Sequence, residues 1–267
     1  MRRYVIFVLL IFFLLNNGCT KNDDPGSQPE GKIIVLMYHR IVNGEATNLY
    51  ERSIANLEAD LIYLVENDIK VITFNDLDAL AASGSMPEGH SAIITFDDGD
   101  NSWYTLVRPL VLKYGMTATF FLWTNMIGRD SFISWAEVED MSNYTLPGGV
   151  HPFIFGSHTS NHRYLLQSKY GFSSQEEYNA FLDYELGLSK EVIENHSPVP
   201  SDILSLPYGD GAGDTEIIAA AKRNGYNYIR TSIWGAIENP GQDLFIIPSL
   251  PMLDSTEPEF IGYYLGL

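Results

Sequence analysis

Asp97 and Asp98 stand side by side where an apolar run stops, in the stretch Ile94-Thr95-Phe96-Asp97-Asp98-Gly99. Successive strand residues point to opposite sides, so where the strand breaks into a turn two neighbouring carboxylates can reach different partners. One can ligate a metal ion while the other faces the water beside it. An Asp-Asp-Gly turn that caps a helix starting near Ser102 accounts for the same residues when the segment is read alone. Further along, Gly156-Ser157-His158-Thr159-Ser160-Asn161-His162 carries two histidines four residues apart. On a helical turn that spacing puts both imidazoles on one face. Such pairs are common on exposed surfaces, and it is the company of the Asp pair that gives this one weight. Two His and one carboxylate form a facial set that leaves positions open on Zn²⁺, Co²⁺ or Fe²⁺ for water and substrate.

Such residues must be brought together by the elements that carry them. Ile33 to Tyr38 reads as a strand buried on both faces. Ser53 to Asn67 has apolar residues at Ile54, Leu57, Leu61, Leu64 and Val65, which is helical spacing. Further strands are expected from Val71, Ala92, Thr117, Phe153, Ile203, Tyr226 and Leu244, with helices over Trp103 to Tyr114, Gln175 to Asn195 and Thr215 to Asn224. About seven or eight strands alternating with helices imply a parallel βα barrel or a doubly wound sheet, and in both chemistry collects at the carboxyl ends of strands. Those ends supply His39, Asp97 and Asp98, His158 and His162, Pro207 and Tyr208, and Arg230.

The motifs Thr95-Phe96-Asp97-Asp98-Gly99, His158-Thr159-Ser160-Asn161-His162 and Leu206-Pro207-Tyr208-Gly209, in this order, resemble the polysaccharide deacetylases of carbohydrate esterase family 4 from about Ile33 to Leu253. The resemblance implies an α/β fold, a distorted parallel (β/α) barrel of about seven strands in one domain. It implies a divalent ion, zinc first with cobalt, nickel or iron as alternatives, held by Asp98, His158 and His162. Asp97 would be the general base, and the backbone N–H of Tyr208 would help hold the oxyanion. The implied reaction is metal-assisted hydrolysis of an acetamide or acetyl ester on a polysaccharide or oligosaccharide.

Three positions depart from that pattern. Ser205 stands where the family has an Arg that pairs with the base, and Arg230, Arg163 or Arg40 could replace it from another strand end. Ile233 precedes Trp234 where an Asp is usual, and Leu253 occupies the place of the His that protonates the leaving amine. His39 is the candidate substitute acid, because an unperturbed imidazole pKa near ~6.5 suits donation to a departing amine. Trp234 is the candidate pocket wall, grouped with Pro207 and Arg230 as substrate contacts. The departures leave an alternative of another class, a catalytically impaired carbohydrate-binding lipoprotein on the same fold.

The first segment is set apart from the fold. Met1-Arg2-Arg3 precedes an apolar run from Tyr4 to Leu15, the length of a signal-peptide core and short for a membrane-spanning helix. It ends at Gly18-Cys19, similar to a bacterial lipoprotein signal in which Cys19 is lipidated. The expected organisation is therefore a signal peptide over 1–18, a flexible tether rich in Pro, Gly and Asp over 19–31 and the barrel domain over 32–267. The expected place is the bacterial cell envelope, at the outer membrane or cell surface, held to the membrane through the lipid on Cys19. Cys19 is the single cysteine, so the fold has no internal disulfide. A formal net charge of −18 disfavours nucleic acid and anionic membrane surfaces as ligands and leaves neutral or cationic ones. A composition 45% hydrophobic and 13% aromatic is that of a packed globular protein, not a disordered chain.

Overall fold

The computed structural model describes residues 30–267. The expected signal peptide, the expected lipidation site at Cys19 and nearly all of the expected tether lie outside the described residues. Eleven strands occur among those residues: β1 (Ile33–Tyr38), β2 (Arg40–Val42), β3 (Glu51–Ser53), β4 (Lys70–Val71), β5 (Ser91–Asp98), β6 (Ala118–Leu122), β7 (Phe153–Ser157), β8 (Ile203–Ser205), β9 (Tyr228–Arg230), β10 (Ala236–Ile237) and β11 (Leu250–Pro251). The helices are α1 (Ile54–Glu66), α2 (Asp76–Ser83), α3 (Arg108–Lys113), α4 (Trp135–Asn143), α5 (Leu165–Ser168), α6 (Gln175–Asp183), α7 (Ser189–Glu194), α8 (Thr215–Arg223) and α9 (Glu259–Leu265). No helix among the described residues is long and apolar enough to cross a membrane.

The main sheet runs β10-β1-β5-β6-β7-β8-β9, with β11 also on β1 and β4 also on β5. Every pairing from β1 through β9 along this path is parallel. This is the expected α/β architecture, a curled seven-strand path in a distorted half-barrel that is parallel except for β10, antiparallel on β1 at one end, and it excludes the doubly wound alternative. Beyond β9 regularity is lost. The Leu244 to Leu250 stretch, expected as a strand, bonds β9 through Ile229 N–H to Leu244 O and Ile247 N–H to Ile229 O, then reaches β1 only as the two residues of β11. Pro248 lies inside that stretch and has no N–H for a ladder, which accounts for the break.

Strand residues alternate between the barrel interior and the layer that faces the helices, as the period of two demands. Ile33, Val35, Ile93, Phe121, Ile203 and Tyr228 pack in the barrel interior. Ile34, Leu36, Ile94, Phe96, Phe120 and Phe155 face the helices. Gly156 takes an interior place on β7 because a Cβ there would lie 2.8 Å from Ile203 Cγ2 and Phe121 Cε1. Two expected helices are irregular. Trp103–Val107 is a π-helical turn leading into α3, and Tyr184–Leu188 is another that joins α6 to α7.

The expected first helix is α1, whose Ser53 N-cap accepts from the Asn56 N–H. It carries the buried Asp60, which pairs with buried Arg52 at 2.6 Å and accepts from Tyr38 Oη at 2.9 Å. Arg52 also donates to the carbonyls of Leu253 and Thr256, so the pair ties the last turn of the chain to α1. Removing one member of a buried pair strands the other. Arg52→Met is therefore expected to lower unfolding free energy by about 3–5 kcal/mol in urea titration, and Arg52→Met with Asp60→Leu to recover part of it.

Candidate active site

The interior series of the strands lead into one pocket of about 480 Å³ at their carboxyl ends. On β1 the series Ile33, Val35, Met37 continues to His39, and on β5 Ile93 and Thr95 continue to Asp97. Gly156 leads to His158, Ile203 to Ser205 and Tyr228 to Arg230 by the same alternation. His39, Asp97, Asp98, His158, His162 and Tyr208 all line this pocket.

Asp98 has the parity of Ile94 and Phe96 and would face the helices if the strand ran on. It enters the pocket because its backbone turns left-handed at φ 87, followed by Gly99 at φ 106. Of the six non-glycine residues with positive φ among the described residues, four are in this site: Asp98, Thr159, His162 and Tyr208. Each such conformation costs on the order of 1–3 kcal/mol and persists where surroundings enforce it. The two histidines do not share a helical face as their spacing suggested. They lie on an irregular loop after β7, and the left-handed residues Thr159 and His162 turn both rings to one point.

That point has the geometry of a cation site. Asp98 Oδ1 lies 3.5 Å from His158 Nε2 and 3.4 Å from His162 Nε2, and the two nitrogens are 3.0 Å apart. These are separations that three donors at ~2.0–2.2 Å from one shared ion require. His158 Nδ1 bonds the Ser205 carbonyl at 2.9 Å, which fixes its proton there and leaves Nε2 as a lone pair. His162 Nδ1 lies 3.1 Å from Tyr208 Oη, which orients the second ring likewise. Burial pulls His158 down to about 3 and His162 down to about 4, so both rings are neutral at neutral pH. Enclosure by protein, with the charge of Asp97 adding, pushes the Asp98 carboxyl up to about 6 although a third of its side chain remains open to the pocket. Two lone pairs beside a reluctant carboxylate suit a divalent ion, which would favour the ionised form of Asp98.

Asp97 is held differently. Burial raises its pKa, but the guanidinium of Arg230 overrides this with help from His158 and His39, and the carboxyl is held down at about 2. Asp97 Oδ2 accepts from Arg230 Nη2 and, at 3.3 Å, from Ser205 Oγ. Asp97 Oδ1 is buried with no hydrogen-bond partner. Arg230 thus stands as the replacement for the missing Arg. Residues 205 and 230 are register partners across β8 and β9, so the cation reaches the same place from the neighbouring strand.

This corrects the reading of Arg230 as a substrate contact, because its side chain is 0% exposed. Pro207 is buried too and serves to set the turn that carries Tyr208. Trp234 is 58% exposed but lines a separate groove next to the pocket, and Trp123 is the indole of the pocket wall, stacked on His162 at 4.8 Å. Leu253 and His39 both line the pocket.

Sequence reading missed Glu185. Its side chain is 1% exposed, with Oε2 accepting the Asn161 N–H and Oε1 the Asn161 side-chain amide, both at 2.8 Å. Its carbonyl takes the Ser160 N–H at 3.0 Å. Glu185 therefore holds the irregular His loop from behind, from the π-helical turn between α6 and α7. The one sequence signal was Gly187 inside a helical run, where a Cβ would lie 2.5 Å from Asn224 Oδ1.

A curled parallel sheet with an Asp-His-His cluster that could hold a metal ion and a guanidinium-held carboxylate at its carboxyl edge is an arrangement suited to hydrolysis. The polysaccharide deacetylase family model matches residues 84–229, and the chain belongs to that family. It is 26% identical to YxkH of Bacillus subtilis over 220 residues, covering 81% of this chain and 71% of that one. It is 27% identical over 257 residues to the poly-β-1,6-N-acetyl-D-glucosamine N-deacetylase of Staphylococcus epidermidis, covering 88% and 84% respectively. Among solved structures, the Streptococcus pyogenes deacetylase PplD shares the fold with a TM-score of 0.74 at 19% identity, over 88% of this chain and 99% of that one.

Protons compete with a metal for Asp98. Zinc affinity measured by competition with a chromophoric chelator is expected to weaken about tenfold per pH unit below about 6. Glu185→Ala is expected to weaken it about 10- to 100-fold at neutral pH through release of the His loop, and Glu185→Gln less. Arg230→Met removes the cation that keeps Asp97 ionised, so the acidic limb of kcat/KM is expected to move to higher pH.

Proposed function

We propose that this chain is a metal-dependent N-deacetylase of an N-acetylglucosamine polysaccharide, held in the bacterial cell envelope by a lipid on Cys19. The observation that carries the reading is the pairing of an Asp98-His158-His162 cluster with a buried, guanidinium-held Asp97 whose Oδ1 is free. Relatives named for poly-β-1,6-N-acetyl-D-glucosamine support that polymer as substrate. An O-acetylated polysaccharide is the near variant, since the same groups can attack an ester carbonyl.

A zinc, cobalt, nickel or iron ion on Asp98, His158 and His162 would polarise the acetyl carbonyl and acidify water. The chain's own residues do the rest. Asp97 Oδ1 accepts the proton of the attacking water, and Arg230 keeps that carboxylate ionised until it does. The Tyr208 N–H, which bonds no backbone carbonyl among the described residues, donates to the developing oxyanion. Such a donor is worth about 2.7–4 kcal/mol when removed. His39 gives the departing amine its proton, in place of the His that Leu253 replaces. Leu49, Trp123 and Leu253 shield the reacting carbonyl from bulk water.

Leu253 is also the observation on the side of a sugar binder that does not turn over. Acetate release from β-1,6-linked N-acetylglucosamine oligomers separates the two. The enzyme releases acetate, stops when metal is chelated, and loses about 10²–10⁴-fold in kcat in Asp97→Asn and in His39→Ala. Metal and oligomer bound without acetate would establish the binder, and full turnover in His39→Ala would remove His39 as the acid.

A further inference from the structure

Beside the catalytic pocket lies a second groove of about 610 Å³, and Pro251 and Leu253 line both. Pro251 and Leu253 are thus the boundary common to both, and a polymer whose acetylated sugar occupies the pocket would cross these two residues to enter the groove. Trp234, Phe260 and Tyr263 form its apolar wall, with Glu257 and Glu259 beside them. Trp234 is 58% and Tyr263 76% exposed, and Trp234 meets Phe260 edge to face at 6.1 Å and 83°. Large aromatics left open in a groove that adjoins an active site fit the apolar face of a pyranose ring.

This groove is rigidly built although it lies near the chain's last residue. Arg52 bonds the carbonyls of Leu253 and Thr256 from behind, and Asn56 bonds the Asp254 carbonyl at 2.9 Å and its carboxylate at 2.7 Å. The Leu253 N–H closes the turn onto Thr256 Oγ1 at 3.1 Å. Helix α9, which carries Phe260 and Tyr263, sits so close to α1 that a Cβ on Gly262 would lie 2.1 Å from Tyr63 Oη. A buried ion pair and a glycine contact thus fix the floor and the wall.

The groove is mainly apolar, and its lining holds two carboxylates, Glu257 and Glu259, and no Lys or Arg. De-N-acetylation replaces a neutral acetamide by an ammonium group, and a cation beside carboxylates and aromatic faces is favoured by both. We propose that the groove is a subsite for a glucosaminium residue, so that the chain engages polymer already partly de-N-acetylated next to the sugar in its catalytic pocket. The identity of that sugar rests on the deacetylase reading; the groove's preference for a cationic ring does not.

Calorimetric titration at mildly acidic pH with β-1,6-linked glucosamine oligomers and N-acetylglucosamine oligomers of matched length tests this. The glucosamine oligomer is expected to bind more tightly, and Trp234→Ala to weaken it about tenfold. Glu257→Gln with Glu259→Gln is expected to weaken the glucosamine oligomer selectively and to flatten its salt dependence. Equal affinity of wild type for the two oligomers, or an unchanged affinity in Trp234→Ala, overturns the proposal. Acetate release from the N-acetylated oligomer is scored separately. Glucosamine binding without acetate removes the deacetylase reading and leaves the subsite; acetate without glucosamine preference does the reverse.

Discussion

The pairing of Arg230 with Asp97 is the constraint around which the pocket is organised. A carboxylate enclosed by protein is costly unless a cation meets it, and here both partners are buried at the mouth of the barrel. The guanidinium occupies Asp97 Oδ2 and Ser205 Oγ together and reaches Met37 Sδ at 2.7 Å, so it ties the ends of β1, β5, β8 and β9. What it leaves is a single free oxygen on an ionised carboxylate beside a cluster that can hold a divalent ion. The family pattern has its Arg at residue 205, and parallel register sets residue 230 beside it, so Arg230 reaches Asp97 from the neighbouring strand.

A second constraint is the concentration of left-handed backbone in the same place. Asp98, Thr159, His162 and Tyr208 each hold a conformation that side chains disfavour, and each does so to aim a group that regular structure would aim elsewhere. The support is local and polar. Ser157 Oγ accepts the Thr159 N–H, Thr159 Oγ1 accepts the His162 N–H, and Glu185 holds Asn161 between them. Folding energy from the hydrophobic cores is thus spent on geometry at the strand ends.

The same logic links the far end of the chain to the site. Arg52 and Asp60 are buried together under α1, and the turn they grip carries Leu253, which faces both the pocket and the aromatic groove. One guanidinium thus fixes both the packing of α1 and the turn that carries Leu253.

The sequence alone determined the chemistry-bearing groups and the frame. Short continuous apolar runs, alternating with stretches of helical spacing, were enough for a parallel α/β sheet with its reactive groups at strand ends, and Asp97, Asp98, His158 and His162 carried the motifs by identity. Tertiary structure decided everything that depends on which strands are neighbours or on which way a backbone turns. It put Arg230 beside Asp97 instead of substrate, exchanged Trp123 for Trp234 as the pocket wall, and replaced a helical His pair by a loop. It also brought in Glu185, an ordinary acidic residue in a polar helix until burial gives its carboxylate two bonds to Asn161. Residue type and spacing are local properties that a sequence states directly, whereas register, burial and left-handed turns exist only once distant segments have packed.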